Sequence, residues 1–301
     1  MMAQSDGHHP DLGAALEHLL SSGGKRVRPA VALLTGGMLG AGLDRLITLG
    51  AAIELLHTAT LVHDDLIDGA LLRRGIATLN SQWTPAATVL TGDFVFARAA
   101  KLAAETDSVA VMHLFAETLT TIVNGEITQM FSSRGVASRD DYYQRIYAKT
   151  ASMFELATAA AALLSPVENS VVEIFRHFGY NIGMAFQIID DILDFTGEQV
   201  TVGKPVANDL RQGLITLPAL YYFEENADDP DMQTLLAGNR LNDQRLDRLV
   251  SGIRKSGAIQ KAADEARDQI DCALKILLEQ PPSVERDALE DLSRYIISRR
   301  F

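Results

Sequence analysis

The sequence predicts an all-α protein, and three observations carry that prediction. Long stretches are rich in Ala, Leu, Glu, Gln and Arg, which favour the helix. Apolar residues recur at three- and four-residue spacing, as in Leu246, Leu249, Val250 and Ile253. Convincing alternating strand patterns and Asn-Gly hairpin turns are missing. We therefore expect helices nearly throughout the 301 residues.

Glycine and proline divide this pattern into successive helices. The breaks, in chain order, lie at 21–24 with Pro29, 69–75, 84–85, 135–140, 197–205, 226–230 and 281–282. The break at 226–230 is the best candidate for a domain boundary, but the chain beyond it continues as amphipathic helices. We predict a single all-α domain over 1–301. Within it, residues 1–12 are expected to form a flexible tail.

Charge and cysteine content exclude several classes of protein. The chain has 27 Lys+Arg against 39 Asp+Glu, a net charge of −12, whereas nucleic-acid binding needs clustered basic residues. The one cysteine, Cys272, permits no intrachain disulfide, which suits the cytoplasm. No stretch reaches about 18 uncharged apolar residues, so we expect no membrane span. The N-terminus lacks the basic start and apolar core of a signal peptide.

An Asp-Asp-x-x-Asp pattern occurs twice inside apolar helical segments. Its two copies are Asp64-Asp65-Leu66-Ile67-Asp68 and Asp190-Asp191-Ile192-Leu193-Asp194. The first and third aspartates of each motif lie one helical turn apart on one face and can bind one cation, while the second can add a bridging contact. Clustered carboxylates beside apolar residues are costly unless a cation compensates them. All-oxygen ligation shared with phosphates is typical of Mg²⁺, although a solvated acidic surface is the alternative.

Basic residues accompany the acidic motifs at glycine-rich breaks. They lie in Gly-Gly-Lys-Arg-Val-Arg-Pro at 23–29, Leu-Arg-Arg-Gly at 72–75 and Gly-Lys-Pro at 203–205. Backbone N–H groups at a loop–helix junction, together with Arg and Lys side chains, bind phosphate well. Taken singly, each segment is more commonly a basic surface. Together with the acidic motifs, they indicate a diphosphate site.

With these motifs in order, the sequence resembles the trans-prenyl diphosphate synthases of the polyprenyl synthetase family, in particular its medium- and long-chain (hexa- to decaprenyl) members. The matching segments lie at 23–29, 54–75, 125–130, 147–154, 183–197 and 203–218. The resemblance implies the isoprenoid synthase fold, a single domain of long, mostly antiparallel helices around a deep central cavity. The two aspartate motifs would face each other across the cavity mouth.

The resemblance also implies an activity. The enzyme would condense isopentenyl diphosphate with an allylic diphosphate by ionisation, condensation and elimination, and would release a polyprenyl diphosphate. It would work as a cytoplasmic homodimer, with at most transient membrane contact for product release. Three Mg²⁺ ions would bridge the aspartate motifs to the allylic diphosphate.

Individual residues take their roles from the same resemblance. Direct Mg²⁺ ligands would be Asp64, Asp68 and Asp190, helped directly or through water by Asp65, Asp191 and Asp194. The allylic diphosphate would be held by Arg73, Lys149 and Lys204. Isopentenyl diphosphate would be held by Lys25, Arg28, His57 and Arg74. The reacting end would be lined by Thr150 and Gln187.

Residues just before the first motif predict the product length. Short-chain family members have bulky aromatic residues four or five positions before the first aspartate, where this chain has the small Thr60 and Ala59, with Leu56 one turn lower. A helical turn of about 5.4 Å is close to one isoprene unit, so we predict a product of roughly thirty carbons or more.

Two residues depart from the family pattern, and several alternatives stay open. Ala207 stands where Gly is frequent, and Leu214 stands where short-chain members often have Lys. The alternatives are a farnesyl or geranylgeranyl diphosphate synthase, a terpene cyclase, a non-catalytic subunit of a heteromeric synthase and a generic cation-binding helical protein. Terpene cyclases normally have one such aspartate motif, and non-catalytic subunits typically lose aspartates, whereas all six are present here.

Overall fold

The computed structural model describes residues 9–21, 23–73, 75–131, 138–197 and 206–299. Helices dominate these residues, and the prediction of an all-α fold is confirmed. The first part of the chain contains α1 (Pro10–Ser21), α2 (Val27–Met38), α3 (Leu43–Ile67), α4 (Leu79–Gln82), α5 (Pro85–Ala104), α6 (Val109–Phe131), α7 (Arg139–Ile146), α8 (Ser152–Leu163) and α9 (Asn169–Thr196). The rest contains α10 (Asn208–Arg211), α11 (Leu217–Glu225), α12 (Pro230–Leu236), α13 (Asp243–Lys255), α14 (Ala258–Leu278) and α15 (Val284–Ser298).

One short pair of strands is an exception to the helical pattern of the described residues. Strands β1 (Leu72–Arg73) and β2 (Ile76–Ala77) pair in antiparallel fashion, with Leu72 opposite Ala77 and Arg73 opposite Ile76. Each strand is two residues long, which is too short to produce an alternating pattern in the sequence. The turn between them contains Gly75 at φ +78°, a left-handed conformation that glycine adopts without steric cost.

The chain divides into two compact units. The first comprises the described residues of Met1–Glu117 and Leu156–Phe175, and the second those of Thr118–Glu155 and Arg176–Phe301. The unit boundaries fall within α6, α8 and α9. The prediction of one domain over 1–301 stays a prediction.

Helix α3 is the core of the first unit and carries the first aspartate motif at its C-terminal end. It packs against α2 and α5. The consecutive residues 52–56 are all buried, so the helix is enclosed on every face rather than along one stripe. By length and composition α3 could cross a membrane, the one such helix within the described ranges. Because 61% of its most apolar stretch is buried, and core helices pass the same test, this is a weak indication of a span.

A π-helical turn connects α7 to α8. It spans Tyr147–Ala151 and carries two predicted site residues, Lys149 and Thr150. Such single-turn insertions into α-helices often occur at functional sites. Ala151, at the end of the turn, contacts α9 at Gly183, where an added Cβ would lie 2.6 Å from the Ala151 Cα. Glycine at 183 therefore permits the close approach of α9 to the π-turn.

Replacing Gly183 by alanine tests this close approach. We expect Gly183→Ala to lower the free energy of unfolding by about 1–3 kcal/mol, because the new methyl group meets backbone that has to shift. Chemical denaturation measures the change. Gly257→Ala is the matched control, since Gly257 has helical dihedral angles and nothing within 4 Å of an added Cβ. Equal stability of the two variants would contradict the role of Gly183.

Candidate active site

The first aspartate motif lies where α3 ends. Asp64 is half-buried, Asp65 is buried, and Asp68 is exposed as the C-terminal cap of the helix. Gly69 then adopts φ +62°, the Ala70 N–H donates to the Asp65 carbonyl at 2.9 Å, and the Gly69 N–H donates to the Leu66 carbonyl at 3.3 Å. This is the Schellman arrangement that ends helices at a left-handed glycine. It leaves the Asp64 and Asp68 side chains one turn apart at the helix end.

The second aspartate of the motif, Asp65, pairs with Arg73, a residue that is predicted to bind the allylic diphosphate. Arg73 Nε donates to Oδ1 and Oδ2 of Asp65 at 2.9 and 3.0 Å, and Arg73 Nη2 lies 2.8 Å from Oδ1. The short β1–β2 ladder brings Arg73 back to α3, and the Thr78 hydroxyl fixes this connection by donating to the Ala70 carbonyl at 2.6 Å. Asp65 therefore holds Arg73 in a bidentate pair, a geometry that orients a guanidinium well. Arg74 lies outside the described residues.

The predicted isopentenyl diphosphate residues occupy the loop before α2 and the middle of α3. Nη1 of Arg28 and Nε2 of His57 lie 3.3 Å apart, so the structure brings these two side chains together. Lys25 is exposed on the loop.

The loop is also shaped by residues that lie outside the predicted ligand set. Arg26 has left-handed dihedral angles and forms an ion pair with the buried Glu54 of α3. Gly23 and Gly24 also have positive φ angles. A buried carboxylate needs a charged or hydrogen-bonding partner, and the Arg26–Glu54 pair satisfies that need while tying the loop to α3. The sequence signal was Glu54 itself, the acidic residue in an otherwise apolar run.

The middle aspartate of the second motif is a buried hydrogen-bonding centre. Oδ2 of Asp191 accepts the Tyr142 hydroxyl at 2.8 Å, and Oδ1 accepts Nε2 of Gln187 at 2.8 Å. Oε1 of Gln187 in turn accepts the Thr150 hydroxyl at 2.6 Å, so the predicted pair Thr150 and Gln187 is in contact. Burial raises the pKa of Asp191 to about 7, against the lowering effect of the Gln187 and Tyr142 hydrogen bonds. Sequence reasoning missed Tyr142, which lies 49 residues from Asp191.

The third aspartate of the second motif binds backbone. Oδ1 and Oδ2 of Asp194 accept the N–H groups of Asn208 and Asp209, each at 3.1 Å. Asp194 thus caps α10, whose own preceding residue, Ala207, has no capping side chain. Ala207 lies at φ 54°, ψ 48°, a left-handed conformation in which glycine is free of the Cβ penalty. The departure from the family's frequent glycine therefore falls at a conformationally demanding position.

The first aspartate of the second motif has an arginine partner from the end of the chain. Asp190 is paired with Arg299, which directly follows α15. Lys149, which is predicted to bind the allylic diphosphate, also has an acidic partner. Its Nζ lies 3.0 Å from Oε1 of Glu126 on α6. Lys204 lies outside the described residues.

The predicted chain-length residues lie on α3 in different environments. Leu56 and Ala59 are buried, whereas Thr60 is half-buried and its hydroxyl donates to the His57 carbonyl at 2.8 Å. All three positions belong to the helix that forms the core of the first unit.

The donor set suits Mg²⁺ shared with a substrate. Within the described ranges, no three His, Cys, Asp or Glu side chains converge into a metal cluster. Mg²⁺ usually takes one or two carboxylates and completes its octahedral shell with waters and phosphate oxygens. The pair Asp64 and Asp68, partly or fully exposed, offers that kind of incomplete site.

The Tyr142–Asp191 hydrogen bond predicts a pH-dependent stability. The pKa of Asp191 in the folded protein, about 7, lies above the unfolded value of 3.8. This group therefore favours folding at low pH, and its contribution is lost as pH rises from about 4 to about 7. Tyr142→Phe removes a donor that lowers this pKa, so its cost should rise from about 1 kcal/mol at pH 5 to about 2–3 kcal/mol at pH 8.

Urea denaturation of metal-free protein across this pH range measures the effect. Tyr143→Phe is the matched control, because the Tyr143 hydroxyl donates to Glu265 rather than to Asp191. A Tyr142→Phe penalty that does not grow between pH 5 and pH 8 would contradict the assignment.

The chain is similar to known proteins over most of its length. The sequence matches the polyprenyl synthetase family model over residues 9–253. It is 37% identical to chloroplastic solanesyl diphosphate synthase 2 of Arabidopsis thaliana over 97% of this chain and 71% of that protein. It is 36% identical to heptaprenyl diphosphate synthase component 2 of Geobacillus stearothermophilus over 96% of this chain and 90% of that protein. The crystal structure of Caulobacter crescentus polyprenyl synthase, complexed with calcium and isoprenyl diphosphate, has a TM-score of 0.91 at 35% identity and covers 100% of this chain and 92% of that one. The chain therefore belongs to the polyprenyl synthetase family.

Proposed function

We propose that the chain is a Mg²⁺-dependent prenyltransferase that condenses isopentenyl diphosphate with an allylic diphosphate into a medium- or long-chain all-trans polyprenyl diphosphate. The observation that carries the proposal is the coupling of acidic and basic groups at the first motif. Asp65 holds Arg73 in a bidentate pair, while Asp64 and Asp68 stay at the helix end. Family membership and the relatives of 36–37% identity support the same reaction class.

The chemistry follows from where charge develops. The C–O bond of the allylic diphosphate breaks, leaving an allylic cation and a diphosphate that carries the bonding electrons. When bound, Mg²⁺ stabilises that leaving charge as a Lewis acid. The double bond of isopentenyl diphosphate supplies the electrons for the new C–C bond. A proton is then lost to form the product double bond, and the departed diphosphate is the proposed base.

The six aspartates divide into two groups in this proposal. Asp64, Asp68 and Asp190 are the direct metal ligands, in agreement with their exposed or half-buried positions. The others act through the groups that they hold: Asp65 through Arg73, Asp191 through Gln187 and Tyr142, and Asp194 through the start of α10.

The cations have separate tasks. Arg73, Lys149 and Lys204 hold the allylic diphosphate, whose negative charge would compete with Asp65 for Arg73 and with Glu126 for Lys149. Lys25, Arg28, His57 and Arg74 hold isopentenyl diphosphate. The 3.3 Å approach of Arg28 to His57 supports a shared anion site for these two residues. Donors that are already in place stabilise developing charge without reorganisation.

Thr150 and Gln187 form a polar pair at the reacting end. Because Asp191 accepts from the Gln187 amide N–H group, the Gln187 oxygen is directed to the Thr150 hydroxyl. The hydrogen bond to Asp191 thus fixes the orientation of the Thr150–Gln187 dipole. Such a fixed dipole can orient the allylic cation during its short lifetime.

Assembly, location and product length complete the proposal. We infer that the protein is a cytoplasmic homodimer that binds three Mg²⁺ ions per site. We also infer a product of roughly thirty carbons or more, because the residues one turn before Asp64 on α3 are small and each helical turn adds about 5.4 Å. A molar mass measured in solution tests the dimer. Activity that appears only when a second polypeptide is added would instead indicate a subunit of a heteromeric synthase.

One assay tests the reaction and the metal ligands together. Purified protein with Mg²⁺, labelled isopentenyl diphosphate and farnesyl diphosphate should give labelled polyprenyl diphosphates. We expect Asp64→Asn to lower kcat about a hundredfold or more, because a ligand of the leaving charge is lost. Asp65→Asn should instead raise KM for the allylic substrate through the loosened Arg73. Full activity of Asp64→Asn would refute the metal assignment.

A second experiment tests the product length. Thr60→Phe should shorten the products towards fifteen or twenty carbons, because an aromatic ring would fill the space next to the growing chain at this position. Thr60 is half-buried, so the ring is better tolerated there than at the fully enclosed Ala59. Chromatography of the dephosphorylated products measures their length. If the unaltered enzyme accumulates only fifteen- or twenty-carbon products, the long-chain prediction is wrong.

A further inference from the structure

The end of the described chain lies on the second aspartate motif. Helix α15 ends at Ser298, and Arg299 takes an extended conformation at φ −58°, ψ 128°. Its Nη2 donates to Oδ1 of Asp190, which is 109 residues away in the sequence. The contact joins the last described residue to a proposed Mg²⁺ ligand.

A second contact fixes the same guanidinium. Cζ of Arg299 lies 4.3 Å from the ring centroid of Phe186, one helical turn before Asp190 on α9. A guanidinium above an aromatic face gains a cation–π attraction that grows as water is excluded. The Arg299 side chain is 7% exposed, whereas that of Asp190 is 40% exposed. Among the residues that the structure describes, none accepts a hydrogen bond from Arg299 Nε.

Burial of such a charge needs compensation. Taking a guanidinium out of water is costly unless a nearby anion and good hydrogen bonds offset the loss. Asp190 supplies that anion, and Arg299 in turn offsets the repulsion among the three carboxylates at 190–194. Of the other two carboxylates, Asp191 accepts hydrogen bonds from Tyr142 and Gln187, and Asp194 accepts hydrogen bonds from backbone N–H groups. Arg299 brings a full positive charge to this motif through its pair with Asp190.

Arg299 and a metal ion compete for the same carboxylate. Mg²⁺ binds carboxylate oxygens at about 2.0–2.1 Å and demands near-ideal octahedral geometry. A guanidinium donating to Oδ1 occupies one approach to Asp190 and lowers the negative potential that attracts a cation. Both effects weaken metal binding as long as the Arg299–Asp190 pair persists.

We propose that Arg299 is the protein's own counter-cation for Asp190, which neutralises this carboxylate in the metal-free protein and is displaced from it when Mg²⁺ binds with a diphosphate. This inference rests on the proposed function, since it takes Asp190 as a metal ligand. Its consequence is that the second motif binds a divalent cation weakly until a diphosphate arrives. Metal binding and substrate binding are thereby coupled through an exchange of cations.

The test measures metal binding rather than turnover. Calorimetry gives the Mg²⁺ affinity in the presence of inorganic diphosphate, and Mn²⁺ titration followed by electron paramagnetic resonance gives the affinity without it. We expect Arg299→Gln to bind either ion about tenfold more tightly, the equivalent of one lost hydrogen bond to a charged group. Its metal-free form, in EDTA, should unfold at a lower temperature than the unaltered protein.

Arg294→Gln is the matched control. Arg294 is exposed on α15, close before Arg299 in the sequence, and pairs with the half-buried Glu290 at 2.8 Å. The same charge is removed, but no contact with the aspartate motif is lost, so the metal affinity should equal that of the unaltered protein. Arg299→Lys keeps the charge without the planar fork and should give a smaller gain. If Arg299→Gln does not fold, the metal affinity of Arg299→Lys is measured in its place.

The outcomes separate the inference from the proposed function. Equal or weaker metal affinity of Arg299→Gln overturns the counter-cation role, and so does an equal gain in Arg294→Gln. Asp190→Asn decides the rest. If Asp190→Asn weakens Mg²⁺ binding but Arg299→Gln does not strengthen it, the inference fails while the metal site stands. If Asp190→Asn leaves Mg²⁺ binding unchanged, the metal assignment of Asp190 fails, and the inference fails with it.

Discussion

Mutual repulsion within each aspartate motif is the constraint on which the proposed chemistry depends. Three carboxylates within five helical residues repel one another, and the apolar residues beside them remove solvent screening. The structure meets this repulsion by giving the carboxylates different neighbours. Asp65 has an arginine, Asp191 has neutral donors, Asp194 has backbone N–H groups, and Asp190 has the guanidinium of Arg299. Charge is thus compensated locally before any metal binds.

These partners organise the surrounding structure as well as the charge. Arg73 reaches Asp65 because the β1–β2 ladder reverses the chain directly after α3. Tyr142 ties α7 to α9, and Asp194 supplies the cap of α10. Gly183 lets α9 approach the π-turn that carries Lys149 and Thr150. The proposed binding groups are therefore held by the same contacts that stabilise the fold, and changes at positions such as Tyr142 should affect stability and the proposed catalysis together.

The sequence predicted what depends on local periodicity. Apolar spacing indicated the helices, and helical geometry placed Asp64 with Asp68 on one face of α3. It did not reveal contacts between residues distant in sequence, such as Tyr142 with Asp191 over 49 residues or Arg299 with Asp190 over 109. The residues around Tyr142 and Arg299 form no sequence pattern from which the partner of either side chain could be predicted. The π-turn was missed for another reason, because one inserted residue barely alters the helical period.

The proposed control of product length is limited by the packing of the helix that carries the first motif. Leu56 and Ala59 are buried in the core of the first unit, where added volume forces neighbouring side chains and backbone to shift. Thr60 is half-buried, and its hydroxyl is satisfied within its own helix by the His57 carbonyl. A larger side chain at position 60 therefore costs one local hydrogen bond, whereas one at position 59 disturbs the core that positions Asp64. In the proposed enzyme, a change towards shorter products is therefore expected to be better tolerated at Thr60 than at Ala59.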